Sequence, residues 1–371
     1  MKTVLVSGAS GIVGYGVLKS MRNSGKNLRL IGTTIYDDSV APAFCDVFEK
    51  AIPTTEINYI DWLLEIINKH KVDLIIPGIE ADLYKWTENI QVLERSGVKI
   101  LTNNLSLVNL CKDKWEFFQE VSKFDTKYLI PTSTESDYKS IVANYGLPFL
   151  LKPKRGFASK GIVKVSNEAE FNAHKNNISD ILLVQQIVGN EDQEYTTSAF
   201  CDGNGSYYAK MTLKRKLAKD GFTDRAETVT LDEIDEVISH FCKILKPIGP
   251  TNFQFRKHNG ELKLLEINPR ISSSTSIRMS FGYNESAMVI DYYLENKSDT
   301  LKFTYGNIKV DKFDNDLTDI IDELDLDIDD SDAIKSQIKD AAENIDTLDQ
   351  KIIKEIYLLI IINIIINIMK N

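Results

Sequence analysis

"NFQFRKHNGELKLLEINPRIS", residues 252–272, decides how this chain folds. Apolar and polar residues alternate on either side of an Asn-Gly turn, which predicts a β-hairpin. The second strand, Leu262 to Ile267, is too apolar to carry Glu266 without cause, because an unpaired buried carboxylate is strongly disfavoured. Asn268 and Arg270 follow at once. Two readings are open: a structural Glu–Arg pair, or a divalent metal with a phosphate beside it. The turn bears on both. A three-residue turn over 258–260, with Gly260 left-handed, would pair Lys257 with Glu261, Gln254 with Leu264 and Asn252 with Glu266. Strand side chains alternate, so Gln254, Glu266 and Asn268 would then share a face. A two-residue Asn-Gly closure would put Gln254 on the face opposite Glu266. The three-residue turn is the expectation, and its oxygen set suits Mg²⁺, with Mn²⁺ as a substitute. Arg270 can grip a transferring phosphate or a carboxylate in a forked geometry.

Upstream, "FLLKPKRGFASKGI" (149–162) reads as a strand, a glycine-rich loop and the start of another strand. Lys152 could simply snorkel from the strand end. However, Gly156, Ser159 and Gly161 make a loop whose N–H groups can wrap a phosphate, and Arg155 and Lys160 add charge. GxxxxGK[ST] is absent, so this is not a Walker A loop. Lys114, on an earlier helix, can close over the same polyphosphate. In "LLVQQIVGNEDQEYTTSAF" (182–200), the backbone around Gln186 to Val188 offers an N–H and C=O edge to a purine. Glu194 is placed for two ribose hydroxyls, with an exposed edge-strand Glu as the plain alternative. Arg225, in "GFTDRAETV", is a candidate to hold a substrate carboxylate or else a solvated loop arginine.

The first hundred residues alternate strand and helix, which predicts a doubly wound parallel sheet. Gly8, Gly11 and Gly14 are spaced as in dinucleotide enzymes. The second strand ends in Thr33 and Thr34 where an acidic residue would be wanted, so these glycines are read as a tight turn with close helix–sheet packing. From about 111 the pattern becomes α+β.

At 371 residues, with 43% hydrophobic and 26% charged residues, the chain is long enough for two or three globular domains. Four scattered cysteines without a CxxC pair fit reduced thiols and a cytoplasmic protein. Residues 311–350 hold 15 Asp/Glu against 3 Lys/Arg, so the net charge of −10 belongs to this stretch. No basic stripe points to nucleic acid. Ile334, Ile338, Ala341, Ile345, Leu348, Ile352 and Leu359 follow a 4-3 spacing that suggests an amphipathic helix and a homo-oligomer. The terminal "IYLLIIINIIINIM" is too short for a membrane span.

With these motifs in order, the chain resembles the ATP-grasp superfamily, and most closely one module of the carbamoyl-phosphate synthase large chain. The pattern runs from residue 1 to about 310 through "IGTT", "DK" (Asp113-Lys114), "LLKPKRGFASKGI", "VQQIV…EYTTS" and "NFQFR…LLEINPRIS". The resemblance implies a Rossmann-like domain over 1–110, an ATP-grasp domain over 111–310 with a mobile lid at about 126–187, and a tail over 311–371. It also implies ATP and Mg²⁺ as cofactors. Lys114 and Lys152 would contact phosphates under the loop of Gly156, Ser159 and Gly161, and Gln186 and Val188 would flank adenine. Glu194 would hold ribose, Gln254, Glu266 and Asn268 the metal, and Arg270 with Lys152 would act at the transferring phosphate. The expected function is a ligase that activates a small-molecule carboxylate as an acyl phosphate for attack by an amine. The alternatives are a bicarbonate- or carbamate-activating module working with a partner chain, and a nucleotide-binding scaffold without turnover. One module stands here where a complete synthase has two.

Overall fold

The apolar run after Met1 forms β1 (Lys2–Val6), and the glycine turn behind it opens α1 (Ile12–Arg22). Then come β2 (Leu28–Thr34), β3 (Val47–Lys50), α2 (Tyr59–His70), β4 (Leu74–Ile76), α3 (Glu80–Glu88), α4 (Ile90–Glu94) and β5 (Lys99–Ile100). The five strands pair in parallel in the order β3-β2-β1-β4-β5. A parallel sheet is covered on both faces, so its central strands are apolar throughout. Val4, Leu5, Val6, Leu74, Ile75 and Ile76 accordingly have no exposed surface. This computed structural model describes residues 1–156, 160–218, 221, 223–298 and 301. Ser159 and the acidic tail of 311–371, with the helix expected in it, lie outside them.

Strand order reverses between β1 and β4, where open α/β sheets offer a ligand crevice. There the backbones touch. A Cβ on Gly14 would lie 2.3 Å from Gly8 O, and one on Gly78 would lie 2.0 Å from Ser7 O. The glycines allow helix and strand to approach, which is the packing role expected of them.

After α5 (Leu105–Lys112) and α6 (Lys114–Ser122) come β6 (Thr132–Ser133), α7 (Tyr138–Tyr145), β7 (Phe149–Pro153), β8 (Val163–Val165), α8 (Glu168–His174) and β9 (Leu182–Gln186). They form an antiparallel sheet in the order β6-β9-β7-β8. Phe149, Leu151, Val165 and Val184 pack on Ile141 and Phe171 of its helices. Alternation sends Leu150 and Lys152 to the other face, with Gln185 opposite Leu150.

A second antiparallel sheet holds β10 (Glu194–Asp202), β11 (Tyr207–Leu217), β12 (Thr223–Thr228), β13 (Ile248–His258) and β14 (Glu261–Asn268), in the order β12-β11-β10-β13-β14. Helix α9 (Ile234–Leu245) packs Val237, Ile238 and Phe241 against Tyr195, Phe253, Phe255, Leu262, Leu264 and Ile267. The opposite face therefore carries Glu194, Gln254 and Arg256. α10 (Thr275–Ser280) and α11 (Glu285–Tyr293) complete the described elements. The class is α/β, a Rossmann-like parallel sheet followed by an α+β part built on two antiparallel sheets.

The hairpin corrects the expected turn. His258 pairs with Glu261 across a two-residue loop, Asn259 at φ 51° and Gly260 at φ 87°. That closure alone would have put Gln254 on the face opposite Glu266. The register then shifts: Phe255 pairs with Leu264 but Gln254 pairs with Glu266, leaving Leu265 as an extra residue in β14. This β-bulge returns Gln254 and Glu266 to one face, with Asn252 opposite Asn268. The expected partners Lys257–Glu261, Gln254–Leu264 and Asn252–Glu266 are each displaced. The free edge of β14 is stabilised beside the bulge, where Leu264 N–H donates to Tyr128 O at 2.7 Å.

Candidate active site

A cleft of about 200 Å³ opens between the cleft face of β7–β9 and the face of the second sheet away from α9. Among the residues expected from the sequence, Lys114, Lys152, Gly156, Gln186, Val188, Glu194, Gln254 and Glu266 line it. Gly161, at φ 74°, Asn268 and Arg270 lie outside its wall.

At the loop end, Asp113 caps α6 by accepting from Trp115 N–H (2.9 Å) and Glu116 N–H (3.1 Å). Its other oxygen accepts from Arg155 Nε at 3.1 Å. Burial pushes the Asp113 carboxyl up, but Glu116 N–H and Arg155 outweigh it and hold it below the usual range. Lys114 Nζ donates to Gly156 O at 2.9 Å, and Lys114 N–H to Lys154 O at 2.9 Å. The "DK" pair thus ties the start of the glycine loop to a helix terminus. Lys152 projects from the end of β7. Burial lowers its ammonium pKa to about 8, Glu266 opposes the shift, and Lys114 and Arg256 add to it. A lysine so placed gains from an arriving anion.

The centre of the cleft differs from expectation in its detail. Glu194 begins β10 as predicted, but it is buried between two arginines. Its Oε1 accepts from Arg215 Nη2 (2.8 Å) and Nε (3.2 Å), and its Oε2 from Arg256 Nη2 (2.7 Å). Arg215 Nη2 also donates to Gln254 Oε1 at 2.7 Å. The sequence reading missed both arginines. The alternation of β11 and β13 was the available signal, since Arg215 and Arg256 each fall on the face that carries Glu194 and Gln254. Gln185, next to the expected Gln186, also lines the cleft. It sits opposite Leu150 on the face of Lys152, and its Oε1 is buried without a hydrogen-bond partner among the described residues. Gln186 spends its N–H on Pro131 O at 3.1 Å.

Where the metal is expected, Asn268 Nδ2 donates to Glu266 Oε1 at 3.0 Å, which orients both groups. One carboxylate and two amide oxygens are hard donors of the kind Mg²⁺ prefers, and the bulge brings them to one face, so the residues fit the metal. Gln254 Oε1 already accepts from Arg215 and Asn268 Oδ1 from Arg270, which leaves the carboxylate of Glu266 as the least encumbered ligand. Arg270 Nη2 donates to Glu80 Oε1 at 2.8 Å and to Asn268 Oδ1 at 3.3 Å. Glu80, at the start of α3, is a partner the sequence reading did not foresee. Arg225 stands exposed on β12, 3.9 Å from Asp224, rather than in a loop.

Beyond Asn252 the polar face runs into a closed cluster. Arg278 is fully buried and donates to Thr196 Oγ1 (3.1 Å) and Asn252 Oδ1 (3.1 Å), while Ser198 Oγ donates to Glu285 Oε2.

The family model described as "ATP-grasp in the biosynthetic pathway with Ter operon" matches residues 179–315. The carbamoyl phosphate synthase large chain of Methanothrix thermoacetophila is 22% identical over 288 residues, covering 71% of this chain and 26% of that protein. Its counterpart from Campylobacter jejuni is 24% identical over 227 residues, covering 57% and 20%. This chain therefore matches about a quarter of the length of such relatives or less. Among solved structures, the N5-carboxyaminoimidazole synthetase of Staphylococcus aureus complexed with ADP superposes at a TM-score of 0.61 and 17% identity, covering 78% of this chain and 76% of that one. Biotin carboxylase of Campylobacter jejuni, in a β-γ-ATP complex, superposes at 0.62 and 14%, covering 79% and 70%. No helix among the described residues is long and apolar enough to cross a membrane. In sequence pattern and in fold alike, the chain resembles the ATP-grasp superfamily.

Proposed function

We propose that this chain is an ATP- and Mg²⁺-dependent ligase that phosphorylates a small-molecule carboxylate and passes the acyl group to an amine. The observation that carries the reading is the pairing of Gln254 with Glu266 through the bulge, facing Lys152 across the cleft. The metal, bound by Glu266 and Asn268 with Gln254 beside them, would neutralise charge on the phosphates. Lys152 and Lys114 would hold the β- and γ-phosphates, and the Gly156 loop would cover them. Phosphoryl transfer needs positioning and electrostatic stabilisation more than covalent help from the protein, and these residues supply both. Arg270 retains N–H donors beyond those given to Glu80, Asn268 and Ile271 O, and would steady the acyl phosphate. The named activities of the curated relatives and of the solved neighbours favour this class of chemistry.

ADP release by the full chain, screened against pairs of small carboxylates and amines, tests the proposal. Turnover that requires a particular acid supports it. A second reading, activation of bicarbonate or carbamate with a partner chain, is favoured by the synthase matches. It predicts ADP release with bicarbonate alone. Absence of turnover across the panel, with ATP still bound, would leave a nucleotide-binding scaffold.

A further inference from the structure

Glu194 was expected to accept from two ribose hydroxyls, and its surroundings do not leave room for both. A carboxylate offers about four acceptor directions. Arg215 takes two on Oε1 and Arg256 takes one on Oε2. Oε2 alone keeps a direction for a ligand, so Glu194 can serve one hydroxyl.

The missing partner is beside it. Arg256 stands opposite Glu194 across β10 and β13 and lines the cleft. Its stem passes under the connection that follows Val188, because a Cβ on Gly189 would lie 3.0 Å from Arg256 Cγ. Its head reaches Glu194, so the side chain spans the interval between the expected adenine edge and the expected sugar. Arg256 Nε–H is buried and has no hydrogen-bond partner among the described residues. A buried donor left unpaired costs about 1–3 kcal/mol, which a ligand acceptor would relieve.

We propose that Arg256 is a sugar-reading residue of the nucleotide site. Its Nε–H donates to one hydroxyl of the ribose diol while Glu194 Oε2 accepts from the other. A diol fits this pair because each hydroxyl both donates and accepts, and an Arg beside a Glu presents one group of each kind. Arg215 holds Glu194 from the far side and fixes the direction of its remaining acceptor. The inference rests on the ATP reading above and adds a determinant of nucleotide specificity to it.

The test compares binding of ATP, 2′-deoxy-ATP and 3′-deoxy-ATP to the full chain and to Arg256→Lys, which keeps a cation for Glu194 but lacks the Nε–H. Arg256→Gln serves as a second variant, and thermal melts confirm that each is folded. The wild type should lose roughly tenfold in affinity with each deoxy analogue, the scale of one charge-assisted hydrogen bond. In the Arg256 variants one of these two penalties should vanish and the other remain. Both penalties persisting unchanged would overturn the proposal and leave Arg256 as a prop for Glu194. Equal binding of all three nucleotides by the wild type would overturn it as well. No ATP binding at all by the wild type would sink the ATP reading itself, an outcome distinct from the other two.

Discussion

Two glycine turns follow two apolar strands in this chain, and they use glycine for opposite reasons. After β1, Gly8 and Gly14 let the backbone of α1 rest against the turn, and Gly78 closes the contact from β4 with no space for a Cβ. After β7, a Cβ on Gly156 would meet nothing nearer among the described residues than Pro153 Cβ at 4.0 Å, but the residue sits at φ 139°. The first turn is crowded and the second is open. Crowding is what packing requires, whereas open backbone beside Lys114, Lys152 and Lys160 is what a polyphosphate requires. The spacing of glycines in a motif does not distinguish the two; their neighbours do.

The sharpest way to break the comparison is at the crowded turn. Gly78→Ala or Gly14→Ala should cost at or above about 3 kcal/mol, because backbone and not a flexible side chain stands in the way. Thermal melts and soluble yield measure this, and the affinity for ATP per folded molecule should be unchanged. A stable, folded Gly78→Ala protein that has lost ATP binding would make the first turn part of the nucleotide site.

At the open cleft the expectation reverses. Glu266→Gln should lower ADP formation by about 10²–10³ with a melting temperature near that of the wild type. Wild-type turnover at saturating Mg²⁺ would remove Glu266 from the chemistry.

Lys152 sharpens the contrast through pH. Its folded pKa of about 8 lies below that of an unfolded lysine, so the unfolded chain binds more protons between those two values. Stability attributable to Lys152 should therefore rise with pH across that window, while ATP affinity falls as the ammonium loses its proton. Melts and ATP titrations from neutrality to about pH 10 read both trends. Lys152→Arg, which keeps its charge, should flatten them.

The smallest expected effect is Gly156→Ala. Strain at a positive φ costs about 1–3 kcal/mol and a loop can relax part of it, so the melting temperature should move by only a few degrees. ATP affinity should fall more than stability does, the reverse of Gly78→Ala.

Much of this was legible in the primary structure. Alternating apolar strands and helices specify the parallel sheet because both of its faces must be buried. Lys152 at the end of an apolar strand, followed by glycines, locates the loop end of the cleft, where the phosphates are proposed to sit. Glu266 and Asn268, two residues apart on a strand, must share a face in the absence of a bulge between them. The hairpin shows where such reading stops. Asn259-Gly260 favours a two-residue turn by local backbone preference, and that turn alone separates Gln254 from Glu266. A faint signal of the bulge exists: Leu262 and Leu264 are two apart, whereas the next core residue, Ile267, is three further on. Its position is nevertheless set by what packs on either side, with α9 claiming Leu264 and Ile267 and Tyr128 O accepting from Leu264 N–H.

The charges divide in the same way. Composition and spacing determine that lysines, arginines and carboxylates lie on these strands, because alternation is a local property of extended chain. Which of them meet depends on strand order and register, and these bring together residues far apart in the chain. Only the placement of β11 beside β10, and of β13 on its other side, puts Arg215 and Arg256 on Glu194. Only the docking of α3 near the end of β14 gives Arg270 to Glu80. A buried carboxylate must find donors, but the sequence by itself does not name them; packing of distant segments does.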